Sequence, residues 1–456
     1  MDKAKALEIA AMMKKYIEKK EWCECLQAVQ AEDGISDDYS ASYHVLDSLA
    51  FVYCQASQYP GVHNKYVKLA VEAYEHILAI PGFDMNMKAL KGLAYVYYSE
   101  WISYLILSKK IDGPLAFDKN LCKDRAIELY ERILARDRDV TTLYRYAHLL
   151  YRVSSEYRPG GDYQERLQAR RQSYHLYSEA KNTYEQMEAG DEKKRFRKNY
   201  IKACYGLSRC IIDMIHVTNT LDETIDALFG RTPVCDSYRE WKRKKLMEAA
   251  NAINIVRDEE GLPVTTDDTV ALAMQEQKFE MSWDIYYTMG KIYETAFFYD
   301  FFNDRQRSFD KAEKYYTYAC DIDFNRRRAN KNVSGFKHIY AKLLDLYVKG
   351  HEAEKYNACK SKYEPYFRVN GTMETIYKAK WAIIEHDYAL AADLVGRIDT
   401  KQIRLSKTEK SEHKALEAIV AILAGVDAAT LTGKFTKNQM KRLQELQVYL
   451  AGEMAS

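Results

Sequence analysis

The sequence predicts an all-α chain built from stacked helix pairs, and three observations predict it. Apolar residues recur at i, i+3 and i+4 nearly throughout, the stripe of an amphipathic helix. Turn formers are scarce, with 7 prolines and 19 glycines in 456 residues, too few for the many turns of a strand-rich fold. A register of small, large and apolar residues also repeats along the chain. With 47% apolar and 29% charged residues, the composition suits a folded chain with a large core.

Taken in order, the first forty residues predict a helix pair that caps the array. First-helix registers follow at Leu46-Leu49-Ala50-Tyr53, Leu90-Leu93-Ala94-Tyr97, Leu143-Tyr146-Ala147-Leu150, Tyr286-Met289-Gly290-Tyr293 and Tyr340-Leu343-Leu344-Tyr347. Second-helix registers follow most of them, as Ala70-Tyr74-Ile77, Ala126-Tyr130-Ile133, Ala180-Tyr184-Met187, Ala249-Ile253-Val256 and Ala312-Tyr316-Ala319. Two antiparallel helices approach closely only where small residues sit at the crossing, and large residues one turn away fill the flanking holes. One hairpin cannot bury both of its faces, so each needs neighbours.

These small and large positions resemble those of the tetratricopeptide repeat (TPR) family. The likeness is clearest from Tyr286 to Ala319 and from Asp124 to Arg138, and it covers residues 41–395 with gaps. The family repeat is about 34 residues, whereas Leu46, Leu90 and Leu143 open registers much farther apart. The excess falls between the helices of a pair, as in Ser108–Asp118 and Ser154–Gln168, so longer helices or enlarged loops are expected. The resemblance implies a TPR-like α-solenoid of antiparallel hairpins and a surface that holds another macromolecule.

The domain reading is a helical cap over 1–40, an array with enlarged hairpins over 41–257, a linker over 258–269, a second TPR-like block over 270–395 and a helical cap over 396–456. The linker, DEEGLPVTTDD at its heart, lacks apolar periodicity and holds both Gly and Pro. Further breaks are expected at Arg158–Gly161, Gly230–Pro233 and Gly425–Lys437. Ser406 with Glu409 and Thr436 with Gln439 fit capping boxes.

Composition also bounds function. A formal net charge of +2 gives no argument for whole-surface nucleic-acid binding. Nine scattered cysteines have no framework spacing, and the opening residues are charged throughout. A reducing, cytoplasmic setting with free thiols is expected. No apolar run is long enough to span a bilayer, so no membrane partner is expected. The 38 tyrosines suit helix seams near solvent, where the ring packs and the hydroxyl reaches the edge. The aromatic run from Tyr293 to Phe302 is expected to be core.

Phosphate-loop, dinucleotide and nucleophile-elbow motifs are absent, as is His-Glu-x-x-His. Cys23-Glu-Cys25 has no second pair to complete a zinc site. His148 sits inside a helical stripe, as a packed or edge residue. No catalytic residue, metal or cofactor is expected, and the chain reads as a non-enzyme.

Three basic runs remain. Lys193, Lys194, Arg195, Arg197 and Lys198 surround Phe196, and Lys242, Arg243, Lys244 and Lys245 follow Trp241. Arg326–Arg328 fits a helix C-terminus, where cations complement the dipole. The other two runs begin helices, where cations oppose it, and so are candidates for contact with acidic protein segments or nucleic acid. The function expected is a protein-interaction scaffold, adaptor or regulatory subunit. The alternatives are a nucleic-acid accessory protein using these basic clusters and a peptide-sensing regulator.

Overall fold

The computed structural model describes residues 3–30, 43–57, 63–107, 116–156, 163–217, 238–262, 282–299, 301–329, 336–363, 371–398, 407–424 and 426. Every regular element among them is a helix. The chain divides into two units, Met1–Ala203 and Cys204–Ser456.

In the first unit, α1 (Lys3–Lys19) and α2 (Trp22–Gln30) pack on α3 (Tyr43–Ala56). Ala6, Ile9 and Met13 join Leu26, Val29, Val45 and Leu49 in one apolar cluster. Hairpins follow in chain order. Helix α3 packs on α4 (His63–Ala79), α5 (Met87–Leu107) on α6 (Lys119–Leu134), and α7 (Val140–Glu156) on α8 (Tyr163–Gln186). Helix α9 (Asp191–Val217) begins in this unit, and the division falls within it.

The second unit holds the rest of α9, then α10 (Tyr238–Glu259), α11 (Ser282–Tyr299) and α12 (Arg305–Ala329). It continues with α13 (Phe336–Lys349), α14 (Ala353–Tyr363), α15 (Gly371–Ile384), α16 (Tyr388–Gly396) and α17 (Lys407–Leu423). Helices α11 and α12, α13 and α14, and α15 and α16 pair, while α17 packs on both α15 and α16.

The predicted registers form the crossings. Ala70, Ala126, Ala180, Ala249 and Ala312 are all fully buried, as are Ile77, Ile133 and Tyr316. Met187 lies just past the end of α8. Helices approach closely at Gly290, where a Cβ would stand 2.5 Å from the Tyr316 ring. Helix length carries part of the long spacing. Helix α7 runs to Glu156 and α8 starts at Tyr163, so most of the Ser154–Gln168 interval is helix.

Tyrosine hydroxyls latch the seams between hairpins. Tyr146 on α7 donates to Glu131 on α6 at 3.0 Å, Tyr200 on α9 to Glu185 on α8 at 3.0 Å, and Tyr347 on α13 to Glu313 on α12 at 3.0 Å. In each case a first helix reaches back to the second helix of the preceding hairpin. The aromatic run is core only in part: Phe297 and Phe301 are buried, Tyr293, Phe298, Tyr299 and Phe302 are half-buried, and Tyr293 stacks on Tyr315.

The expected breaks at Arg158–Gly161 and Gly230–Pro233 lie outside the described residues, as do most of Gly425–Lys437 and the residues Ser406 and Thr436. Asp258 and Glu259 of the expected linker close α10, and 263–269 lie outside.

Candidate partner-binding face

Helices α3, α5, α7, α11, α13 and α15 are the first helices of the hairpins, α9 takes the same place after α8, and in each unit these helices meet through polar groups beside their core registers. In the first unit, Asp139 caps α7 by accepting from the Thr141 and Thr142 amides at 2.8 and 3.0 Å. The same carboxylate, with Asp137, holds Lys91 of α5. Burial opposes the Asp139 charge, but Lys91 and Thr142 outweigh it and lower its pKa. Beyond this pair the face turns aromatic and cationic. The Arg145 guanidinium lies 4.1 Å from the centre of the Tyr95 ring. On α9, Asn199 donates to Thr141 at 2.6 Å, and Lys202 reaches to 5.8 Å from the Tyr144 ring.

A hydrogen-bond relay runs along the same face. Arg152 can only donate, so His148 Nε2 accepts from it at 3.3 Å. His148 Nδ1 therefore carries the proton and donates to the Tyr98 oxygen at 2.7 Å. Tyr98 in turn donates to Tyr144. Burial lifts the Tyr144 phenol to about 12, with Arg145 and Arg152 pulling against it. Tyr144 thus keeps its own proton to donate onward.

First helices of the second unit are charged too, but their charges neutralise one another. Buried Glu294 on α11 accepts from Lys349 at 2.7 Å and from Tyr316 at 2.5 Å, and pairs with Lys342 at 3.4 Å. Asp345 binds Lys349 at 2.9 Å and Lys380 at 3.2 Å, and Lys380 also meets Glu412 at 3.3 Å. Burial alone would raise the Glu294 pKa, yet Lys342 and Lys349 hold it far below the ordinary carboxylate range. Tyr205 donates to Asp284, which lies 3.9 Å from Arg209.

The two basic runs named from sequence fall in different units. Helix α9 opens with Asp191 and Glu192, which suit its dipole. Lys194 pairs with Asp191 at 3.0 Å, and Lys193 donates to the Met187 carbonyl at 2.8 Å over the Tyr184 ring. Arg195 lies 5.2 Å from the Phe196 ring, and Arg197 and Lys198 are exposed. On α10, Trp241 is buried and Lys242 is buried over Tyr299. Arg243 forks onto Glu240 at 2.7 and 2.9 Å. Lys244 lies 3.9 Å from Glu240, and Lys245 bonds Glu248 at 2.7 Å. The α10 run is therefore knit into its own helix and core, whereas Lys198 is exposed and precedes Asn199, which bonds Thr141 of α7.

Sequence reasoning missed Tyr95, Tyr144, Arg145 and Lys202. Tyr95, Tyr144 and Arg145 immediately flank core-register residues of first helices, Ala94, Leu143 and Tyr146, and Lys202 flanks the buried Ala203. Collecting flanking polar residues across successive registers would have found them.

A concavity of about 550 Å³ lies between α6 and α8, over Tyr146. Arg138 spans it to Glu179 with bonds of 2.5 and 2.7 Å. All described cysteines but Cys23 are buried. Among the described residues, no cluster of three or more His, Cys, Asp and Glu could hold a metal, and no helix is long and apolar enough to cross a membrane.

No family model and no curated protein matches the chain. Among solved structures, it is similar to a circular tandem repeat protein with novel repeat topology, at 9% identity and a TM-score of 0.26, covering 99% of this chain and 91% of that one. It is also similar to yeast Tom70, at 11% identity and a TM-score of 0.23, covering 99% and 96%. At those scores neither likeness bears on function, and the TPR-like pairing rests on the crossings described above.

Proposed function

We propose that the chain is a non-catalytic scaffold, adaptor or regulatory subunit that holds a protein partner on the first-helix face of its N-terminal unit. One contrast supports this reading most strongly. Charged groups on the first helices of the second unit are matched by partners within the unit, whereas on α7 and α9 of the first unit Arg145, Lys198 and Lys202 gather beside rings with no carboxylate within 4 Å among the described residues. Cations gathered on one face without acids between them make a positive patch that favours an anionic partner. Buried thiols, with Cys25 lifted to about 11 by desolvation, fit a chain that works in a reducing compartment such as the cytoplasm.

The test is affinity capture from the source organism, followed by calorimetry with the purified partner. Arg145→Glu with Tyr95→Ala should abolish binding, and Arg171→Glu on the α8 side should leave it intact. Loss with the α8 variant alone would refute the assignment of the face.

A further inference from the structure

We propose that Arg145, Lys198 and Lys202 recognise a phosphoryl group carried on a segment of a protein partner. This rests on the partner-binding reading of the α5–α7–α9 face and names the chemistry it selects.

The site is built only of donors. The Tyr95 ring supports the Arg145 guanidinium at 4.1 Å, which leaves the edge of the guanidinium to donate. The Asn199–Thr141 bond of 2.6 Å pins one turn of α9 to the first turn of α7. Lys198 and Lys202 flank that turn, with Lys202 over Tyr144. Tyr144 ends the relay from Arg152 and adds a neutral hydroxyl donor.

Nothing nearby neutralises this set. Among the described residues, no carboxylate stands within 4 Å of Arg145, Lys198 or Lys202, whereas most cations around them are paired. Of the acids at the starts of α7 and α9, Asp137 and Asp139 hold Lys91, and Asp191 holds Lys194. The three cations also sense one another. Desolvation first, then Lys198 and Arg145, lower the pKa of Lys202.

Compactness decides between anions. On an extended acidic segment, carboxylates on one side recur about every 6.6 Å, so such a segment suits a row of cations. Here Lys198 and Lys202 lie one turn apart on α9, and Arg145 on α7 is near enough to act on Lys202 with Lys198. One phosphoryl group brings nearly two charges and three acceptor oxygens to a single point, enough for the Arg fork and both ammonium groups together. A nucleic acid fits less well. Cations already cover the Tyr95 and Tyr144 rings that bases would stack on, and a net charge of +2 gives little long-range pull on a polyanion.

The experiment is fluorescence anisotropy on the full chain with dye-labelled peptide pools. Their flanks are randomised, and the central residue is phosphoserine, serine or glutamate. The phosphoserine pool should bind at least about tenfold more tightly than the other two, as expected for charge-assisted hydrogen bonds. Arg145→Gln and Lys202→Gln should each weaken it by about tenfold, and the already paired Lys194→Gln should not. Inorganic phosphate should compete with the pool, and its phosphorus NMR line should broaden with the wild-type chain but not with Arg145→Gln. Circular dichroism would confirm that these variants fold. Equal binding of the glutamate and phosphoserine pools would overturn the proposal. So would phosphate-independent binding, no broadening of the phosphate line, or tighter binding of a single-stranded RNA oligonucleotide at the same residues. A purified partner held equally by wild type and the Arg145→Gln, Lys202→Gln double variant would overturn the phosphoryl site but leave the scaffold reading standing. No partner on this face at all would remove both.

Discussion

Single side chains set the electrostatic character of each unit. Glu294 is the clearest case, a buried carboxylate surrounded by Lys342, Lys349 and the Tyr316 hydroxyl. Glu294→Gln leaves those ammonium groups short of a counter-charge and should cost about 3 kcal/mol in chemical denaturation at pH 7. The pH dependence has a definite sign. The folded pKa lies below that of the unfolded chain, so the stabilisation is complete above about pH 4.3 and fades as pH falls further. The gap between wild type and Glu294→Gln should therefore narrow between pH 5 and 3 (about the span over which a free glutamate protonates). His63 works in the opposite direction. Its bond to Glu100, opposed by burial and aided by the Ser57 carbonyl, raises its pKa. Its contribution is complete below about pH 6.5 and fades as pH rises through the folded value. His63→Gln should thus be more damaging at pH 6 than at pH 9, as read from thermal melts. Arg145 and Lys202 were not legible in the sequence. Each is a lone polar residue beside a core register, and only the packing of α7 on α9 brings them together. The run Lys193–Lys198 was legible because its charges are adjacent in the chain, but adjacency did not separate the paired Lys194 from Lys198.

Among the elements, the hairpins were the most legible part of the chain. Small residues at a crossing and large ones a turn away are local in sequence, so Ala312, Tyr316 and Gly290 could be read before any packing was known. Gly290→Ala drives a methyl into the Tyr316 ring, which Glu294 holds in place. The expected loss is about 1–3 kcal/mol, and Tyr316→Leu in the same chain should recover part of it. The tyrosine latches were only half legible. Abundant tyrosine implied hydroxyls at seam edges, but the Glu131, Glu185 and Glu313 acceptors sit on neighbouring helices that periodicity cannot pair. Tyr200→Phe should cost about 1.5–3 kcal/mol, because a carboxylate loses its donor while the stacked ring stays. A loss below a few tenths would mean that water replaces the hydroxyl at no cost. Helix dipoles account for part of what looked anomalous in the basic runs. Asp191, Glu192 and Glu240 occupy the first turns, so the cations there pair with acids that the helix start already favours.

For the molecule as a whole, two units share one construction but differ in how their first helices handle charge. The second unit closes its ion pairs internally, and the first leaves a compact set of donors on α7 and α9. That difference depends on which helices neighbour one another, which composition and net charge average away. The central claim is that the first helices of the N-terminal unit hold a protein partner. The most direct measurement is hydrogen–deuterium exchange of the full chain, alone and saturated with its purified partner. Exchange should slow in α5, α7 and the first turns of α9, with α6 and α8 unchanged. Protection confined to α6 and α8, or spread evenly over both units, would contradict the account.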